Sequence, residues 1–277
     1  MFELGLYEKA MPNDLSINEK IQLTKKCGFD FMEISVDETD NKLGRLKMQK
    51  TTRKEIVACQ IDENTRIGSM CLSGHRKYPF GSMDKNIRNK SMDIMKAAID
   101  LASDLSCRII QLAGYDVYYE TSDERTREYF LDNLRVATAL AAQNGVLLGF
   151  ETMETEFMDT VSKAMRYVEE INSPYLQVYP DIGNLNNAAN KYHTSIKDDI
   201  LQGSGHIIAA HLKETVENKY RDLFYGEGQV DFISVVKLLK SLGVNRFVGE
   251  FWDNGSEKFE ERITCANAFL RAVIKES

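Results

Sequence analysis

Short apolar runs alternate with longer amphipathic segments along the whole chain. Runs such as VLLGF and HIIAAHL have no polar face, as expected of strands that are covered on both sides in a parallel sheet. The segments between them carry apolar residues at helical spacing, and three of them stop at Gly28, Gly145 or Gly243. The pattern predicts eight strands, near Glu3–Tyr7, Phe29–Ser35, Arg66–Leu72, Arg108–Ala113, Val146–Glu151, Leu176–Asp181, Ile207–Leu212 and Phe247–Phe251.

Helices are predicted after each of these strands. Strict alternation of strand and helix predicts a parallel α/β sheet, and eight repeats predict that the sheet closes into a single (β/α)8 TIM barrel over residues 1–277. The chain length of 277 residues suits this fold, for which about 250 residues are typical. The predicted helices lie near Asn18–Cys27, Thr51–Glu63, Lys85–Ser103, Asp123–Asn144, Ser162–Ile171, His193–Gln202, Asp231–Leu242 and Glu257–Ile274.

Four of the later predicted strands carry a residue that can bind a metal at or next to their ends. The apolar runs VLLGF, LQVYP and FVG are each followed by a carboxylate, and the strand HIIAAHL carries a histidine close to its end. Because the carboxyl ends of barrel strands meet at one face, these side chains are expected to converge. One imidazole and three carboxylates suit a divalent ion such as Zn²⁺, Mn²⁺ or Co²⁺. The predicted ligands are Glu151, Asp181, His211 and Glu250.

Composition narrows the classes of function. A net charge of −7 disfavours general binding of nucleic acid, since affinity for the phosphate backbone needs a dominant basic surface. No segment has the length and apolarity of a membrane span, and no leader sequence is evident at the N-terminus. Five scattered cysteines indicate neither a disulfide framework nor a cysteine-based zinc site. These features favour a cytoplasmic protein.

Two loops carry candidate groups for an anionic substrate. The third predicted strand runs into CLSGHRKYPFGS, where His75, Arg76 and Lys77 could donate to a phosphate or carboxylate, although a solvated basic loop is the simpler alternative. The loop after the seventh strand contains Lys213 and, further along, Glu227 between two glycines whose amides could approach a ligand closely.

Glu33, at the end of the second strand, is a further candidate. It either points into the pocket or pairs with a basic residue of a neighbouring loop, and we favour the pocket.

The chain also resembles a known family. The segments LGLYEKAMP, SVDETD, CLSGHR and LAGYDVYY are similar to those of the L-ribulose-5-phosphate 3-epimerases, within the xylose isomerase-like barrels. The resemblance spans nearly the whole chain. It implies one bound divalent ion, no organic cofactor, and Glu151 and Glu250 as the catalytic acid/base pair. In the related free-ketose epimerases a histidine stands at the position of Asn184 and an arginine at that of Glu217. Asn184 is kept among the expected substrate contacts.

The resemblance implies a reaction and a partner. A pentulose 5-phosphate would be epimerised at C3 through an enediolate, in pentose or ascorbate catabolism, by a protein that acts alone or as a homodimer. An aldose–ketose isomerase, or an epimerase of another sugar, is an alternative on the same barrel. A metal-dependent abasic-site endonuclease is disfavoured because the chain has only four histidines. A sugar-phosphate sensor without turnover is the non-enzymatic alternative.

Overall fold

The computed structural model describes residues 2–277 and contains one eight-stranded sheet. Every paired neighbour is parallel, and the strand order is β6-β5-β4-β3-β2-β1-β8-β7. The strands are β1 (Glu3–Tyr7), β2 (Phe31–Val36), β3 (Arg66–Leu72), β4 (Ile109–Ala113), β5 (Leu147–Glu151), β6 (Leu176–Val178), β7 (Ala210–Leu212) and β8 (Arg246–Gly249).

The sheet is closed by isolated bridges between the segments of its two end strands. Val178 pairs with Ile207 and Asp181 with His211, both in parallel. The backbone amide of His211 donates to the carbonyl of Pro180 at 2.9 Å. The predicted TIM barrel is therefore confirmed, and two predicted metal ligands lie side by side where it closes.

Ten α-helices within residues 2–277 surround the sheet. Three of them end as the sequence predicted, since Gly28, Gly145 and Gly243 have positive φ just after their last turns. Ser16 and Asp123 form capping boxes at the starts of two helices. The helices are α1 (Ile17–Lys26), α2 (Asp40–Gly44), α3 (Lys50–Asp62), α4 (Lys85–Asp104), α5 (Glu124–Gln143), α6 (Val161–Ile171), α7 (Ile182–Tyr192), α8 (Ile196–Gln202), α9 (Phe232–Ser241) and α10 (Phe259–Glu276).

The main departure from the sequence prediction lies after β6. The strand predicted to run to Asp181 ends at Val178, and Asp181 instead caps α7 by accepting from the amide of Asn184 at 2.7 Å. Helix α7 was not predicted, because IGNLNNAANKY is rich in asparagine, a poor helix former. The predicted helix near His193–Gln202 begins only at Ile196, since His193 takes the left-handed conformation that ends α7.

The apolar core of the barrel has two main clusters. The larger core packs the helices against the outside of the sheet. A smaller cluster, which includes Phe31, Tyr179 and Val248, fills the interior. Gly5 and Gly68 make room for the Phe31 ring, because a Cβ atom at either position would lie within 2.4 Å of it. The packed interior confines any ligand to the carboxyl ends of the strands.

Candidate metal centre and active site

The four predicted ligands converge at the carboxyl end of the barrel. Glu151 is the last residue of β5, Glu250 follows β8, His211 lies within β7, and Asp181 lies in the turn after β6. One potential ligand atom from each residue lies within 4.8 Å of those from the other three, and all four residues are buried. Separate strands thus deliver one imidazole and three carboxylates to a single point.

The imidazole of His211 is oriented by Glu33, which contacts the ring on the side away from the other predicted ligands. Its Nε2 lies 2.6 Å from Glu33 Oε1, so this nitrogen is protonated and donates a hydrogen bond to the carboxylate. Its Nδ1 faces the other ligands, at 2.7 Å from Glu250 Oε2, 3.6 Å from Glu151 Oε1 and 3.9 Å from Asp181 Oδ2. A hydrogen bond from the far ring nitrogen to a carboxylate is the usual support of a metal-binding histidine.

Glu33 is itself fixed by two neutral donors. Its Oε2 accepts from Ser69 Oγ at 2.6 Å and from Tyr179 Oη at 2.9 Å. Gln111 lies beside the His211 ring, with Nε2 at 3.2 and 3.3 Å from the two ring nitrogens. The sequence pattern did not predict these supporting residues, although a glutamine inside the apolar strand IIQLA indicates a polar position in the barrel.

Burial and neighbouring charges shift the pKa values of three residues in this cluster. Burial alone would lower the pKa of His211, but the carboxylates of Glu33 and Glu250 raise it well above the ordinary value. Burial raises the pKa of Asp181 to about 7, against the opposing effect of the Lys213 ammonium. Burial would also raise the pKa of Glu250, but Lys213 and His211 together lower it. The charges in the cluster therefore depend strongly on one another.

The donor set fits a divalent metal ion. Asp181 Oδ2 is buried and accepts no hydrogen bond of good geometry, although the Lys213 ammonium lies 3.0 Å away. An unsatisfied buried carboxylate oxygen is costly, and a cation would satisfy it. Mixed nitrogen and oxygen ligands suit Zn²⁺, Mn²⁺ or Co²⁺.

A cavity of about 350 Å³ opens beside the cluster. Both Glu151 and Glu250 line it, together with Asn184, Lys213 and Arg76. Trp252 and a segment of the loop after β7 lie along the wall as well.

Lys9 also lines the cavity, next to its salt-bridge partner Asp37 at 2.7 Å. The sequence pattern did not predict a role for Lys9 or Trp252, although the chain's single tryptophan stands two residues after a predicted ligand.

The remaining predicted substrate contacts lie away from the cavity wall. Glu33 is buried behind His211. His75 is buried against Phe80, and burial lowers its pKa to about 4, so the ring is neutral at pH 7. Lys77 is exposed beside the ring of Tyr78. Glu227 is exposed and accepts from the amide of Phe224 at 2.7 Å. Of the predicted basic loop, only Arg76 reaches the cavity.

No helix within residues 2–277 combines the length and hydropathy needed to cross a membrane.

The chain is similar to known proteins over nearly its whole length. Residues 21–272 match the family described as xylose isomerase-like TIM barrel. SgbU of Escherichia coli K12, provisionally named for L-ribulose-5-phosphate 3-epimerase activity, is 43% identical and aligns over 99% of this chain and 97% of its own. The L-ribulose-5-phosphate 3-epimerase UlaE of Escherichia coli SMS-3-5 is 39% identical, over 97% of this chain and 94% of UlaE.

Solved structures show the same fold at lower identity. An L-ribulose 3-epimerase superposes with a TM-score of 0.80 at 18% identity, covering 99% of this chain and 95% of that one. The D-psicose 3-epimerase of Clostridium cellulolyticum H10 gives 0.83 at 18% identity, covering 98% and 99%. With the family match and the full-length relatives, the chain belongs to the xylose isomerase-like TIM barrel family and, within it, to the L-ribulose-5-phosphate 3-epimerases.

Proposed function

We propose that this protein is a metal-dependent 3-epimerase that interconverts L-ribulose 5-phosphate and L-xylulose 5-phosphate. The observation that carries the proposal is the pair of glutamates, Glu151 and Glu250, that face one cavity from strands separated by β6 and β7. Inversion at C3 needs one group to remove a proton and a second group to return one from the opposite face. Two buried carboxylates across a single cavity can divide these roles.

The proposed roles follow the placement of the side chains. Glu151, Asp181, His211 and Glu250 would hold the ion, with His211 binding through Nδ1 because Nε2 donates to Glu33. When bound, a divalent ion supplies a Lewis acid next to the C2 carbonyl and so makes the C3 proton more acidic. One glutamate then takes that proton and the other returns a proton to the opposite face. Glu33 orients His211 and does not contact the substrate.

The reaction can be identified by the position of deuterium. L-Ribulose 5-phosphate incubated with the enzyme in D2O is expected to acquire deuterium at C3 while L-xylulose 5-phosphate appears, as followed by NMR. Deuterium at C1, with an aldopentose phosphate as product, would instead establish an aldose–ketose isomerase. Protein that binds the sugar phosphate without exchange at any carbon would be a sensor.

We further propose that Arg76 binds the 5-phosphate. Its guanidinium lines the cavity, donates through Nη2 to Tyr115 Oη at 3.2 Å and lies 3.9 Å from Glu154. A guanidinium has five N–H donors in a planar fork, a geometry that suits a phosphate dianion.

Replacing Arg76 by alanine is therefore expected to raise KM for L-ribulose 5-phosphate. Loss of a charged hydrogen bond costs about 1.5–3 kcal/mol, which corresponds to a rise of roughly 10- to 150-fold. Lys77→Ala is the matched control, because Lys77 lies in the same loop but is exposed and outside the cavity wall. Steady-state kinetics would give KM of the two variants for L-ribulose 5-phosphate and for L-ribulose. Equal effects of Arg76→Ala on the two sugars would contradict the assignment.

A further inference from the structure

Lys213 carries a buried ammonium group. Proton transfer by Glu151 and Glu250 does not explain why this charge is buried there. It lies immediately after β7, two residues beyond His211, and only 5% of its surface is exposed. Its Nζ donates to Asn184 Oδ1 at 2.8 Å and pairs with Asp181 Oδ2 at 3.0 Å. A charge this deep costs free energy unless partners or a function require it there.

The partners of Lys213 are themselves held rigidly. Asn184 donates through Nδ2 to the carbonyl of Thr152 at 2.7 Å, and its backbone amide donates to Asp181 Oδ1 at 2.7 Å. Asn184 Oδ1 is therefore the amide atom that faces Lys213. This arrangement fixes the ammonium to a small region beside the ligand cluster, with little freedom to reorganise during a reaction.

An ammonium has three N–H donors, and at most two of those of Lys213 are engaged by Asn184 and Asp181. Glu250 Oε2, at 3.9 Å, lies beyond hydrogen-bonding distance. Lys213 also lines the cavity, and its Nζ lies 6.0 Å from the centre of the Trp252 ring on the cavity wall. One N–H is thus available to a molecule in the cavity.

We propose that Lys213 is a catalytic residue that donates this hydrogen bond to the C2 oxygen of the ketose, an inference that rests on the proposed function. When a glutamate takes the C3 proton, the C–H electron pair becomes the C2–C3 double bond and the carbonyl π electrons move onto the C2 oxygen. Lys213 keeps its proton throughout and stabilises that oxygen by charge and hydrogen bonding. The reverse movement of electrons accompanies protonation on the opposite face.

A fixed donor of this kind acts on the transition state more than on the bound substrate. Removing one donor to a developing oxyanion commonly lowers kcat by about 10²–10³-fold. The kcat of Lys213→Met is therefore expected to fall by about 10²–10³-fold. Its KM for L-ribulose 5-phosphate is expected to change by less than about threefold, because the lost hydrogen bond stabilises the transition state more than the bound substrate. Lys213→Gln, which keeps an N–H donor without the charge, is expected to lose less.

Lys163→Met is the matched control, because Lys163 also pairs with a buried carboxylate, Asp159, at 2.6 Å but lies outside the cavity wall. Metal content and the melting temperature would be measured for each variant. Lys213→Ala would additionally be assayed with added ethylammonium, which is expected to restore part of kcat, whereas the Lys163 variant should not respond.

Three outcomes would overturn the inference. The first is near-normal kcat in Lys213→Met. The second is a rise in KM alone. The third is a loss of activity that follows a loss of metal and is reversed by excess metal, because Lys213 would then only position Asp181. Wild-type protein that fails to exchange the C3 proton of L-ribulose 5-phosphate would overturn the proposed function itself, so the two failures can be told apart.

Discussion

Glu151→Gln and Glu250→Gln are each expected to lower the rate of C3 epimerisation by at least about 100-fold, since a general acid or base contributes about 10²–10⁴-fold. Glutamine keeps the shape of the side chain and can still offer an oxygen to a metal, but it cannot accept the C3 proton at neutral pH. Both carboxylates face the same cavity, and Lys213 and His211 lower the pKa of Glu250 against the opposing effect of burial.

Exchange experiments would separate the two glutamates. If each serves one face of the sugar, a variant that retains its metal should lose interconversion but still exchange the C3 proton of one epimer with D2O. The two variants should then favour opposite epimers. Glu170→Gln is a suitable control, because this exposed glutamate pairs with Arg135 on the outside of the barrel. Near-normal turnover by either active-site variant, or loss of activity explained wholly by loss of metal, would contradict the assignment.

The barrel was predictable because its signals are local. An apolar run long enough for a strand, followed by an amphipathic segment with a cap or a terminal glycine, recurs along the chain. The ends of most strands are also marked locally, and this is why the cluster of Glu151, Asp181, His211 and Glu250 could be predicted from the sequence, although β6 ends three residues before Asp181. Helix α7 was missed for the opposite reason. Its sequence has poor intrinsic helix propensity, and the cap from Asp181 together with tertiary packing forms it.

The direction of the side chains beyond the strand ends was much harder to predict. Glu33 ends up behind His211 because Ser69 and Tyr179, distant in sequence, hold its carboxylate there. His75 and Lys77 flank Arg76, yet one packs into the core and the other faces solvent, because a 3₁₀ turn over Gly74–Arg76 separates neighbouring side chains. Such outcomes depend on contacts between segments, which no single run of residues encodes.

Removing the divalent ion is expected to abolish activity and to lower the melting temperature. Without a cation the ligand cluster holds three buried carboxylates beside Glu33, and the charges of His211 and Lys213 offset part of their mutual repulsion. An ion that binds only the folded chain stabilises it by about 2.7 kcal/mol at 100 times its Kd. For a chain of this size that corresponds to a shift of roughly 5–10 °C.

The protein would be treated exhaustively with EDTA, checked by elemental analysis, and then titrated with Zn²⁺, Mn²⁺ and Co²⁺. We expect activity and melting temperature to recover together and to saturate near one ion per chain, because the four predicted ligands converge at a single point. His211→Asn should respond weakly to every ion, since it lacks the only nitrogen ligand. Full activity in protein shown to be free of metal would refute the metal centre, whereas recovery of stability without recovery of turnover would confine the ion to a structural role.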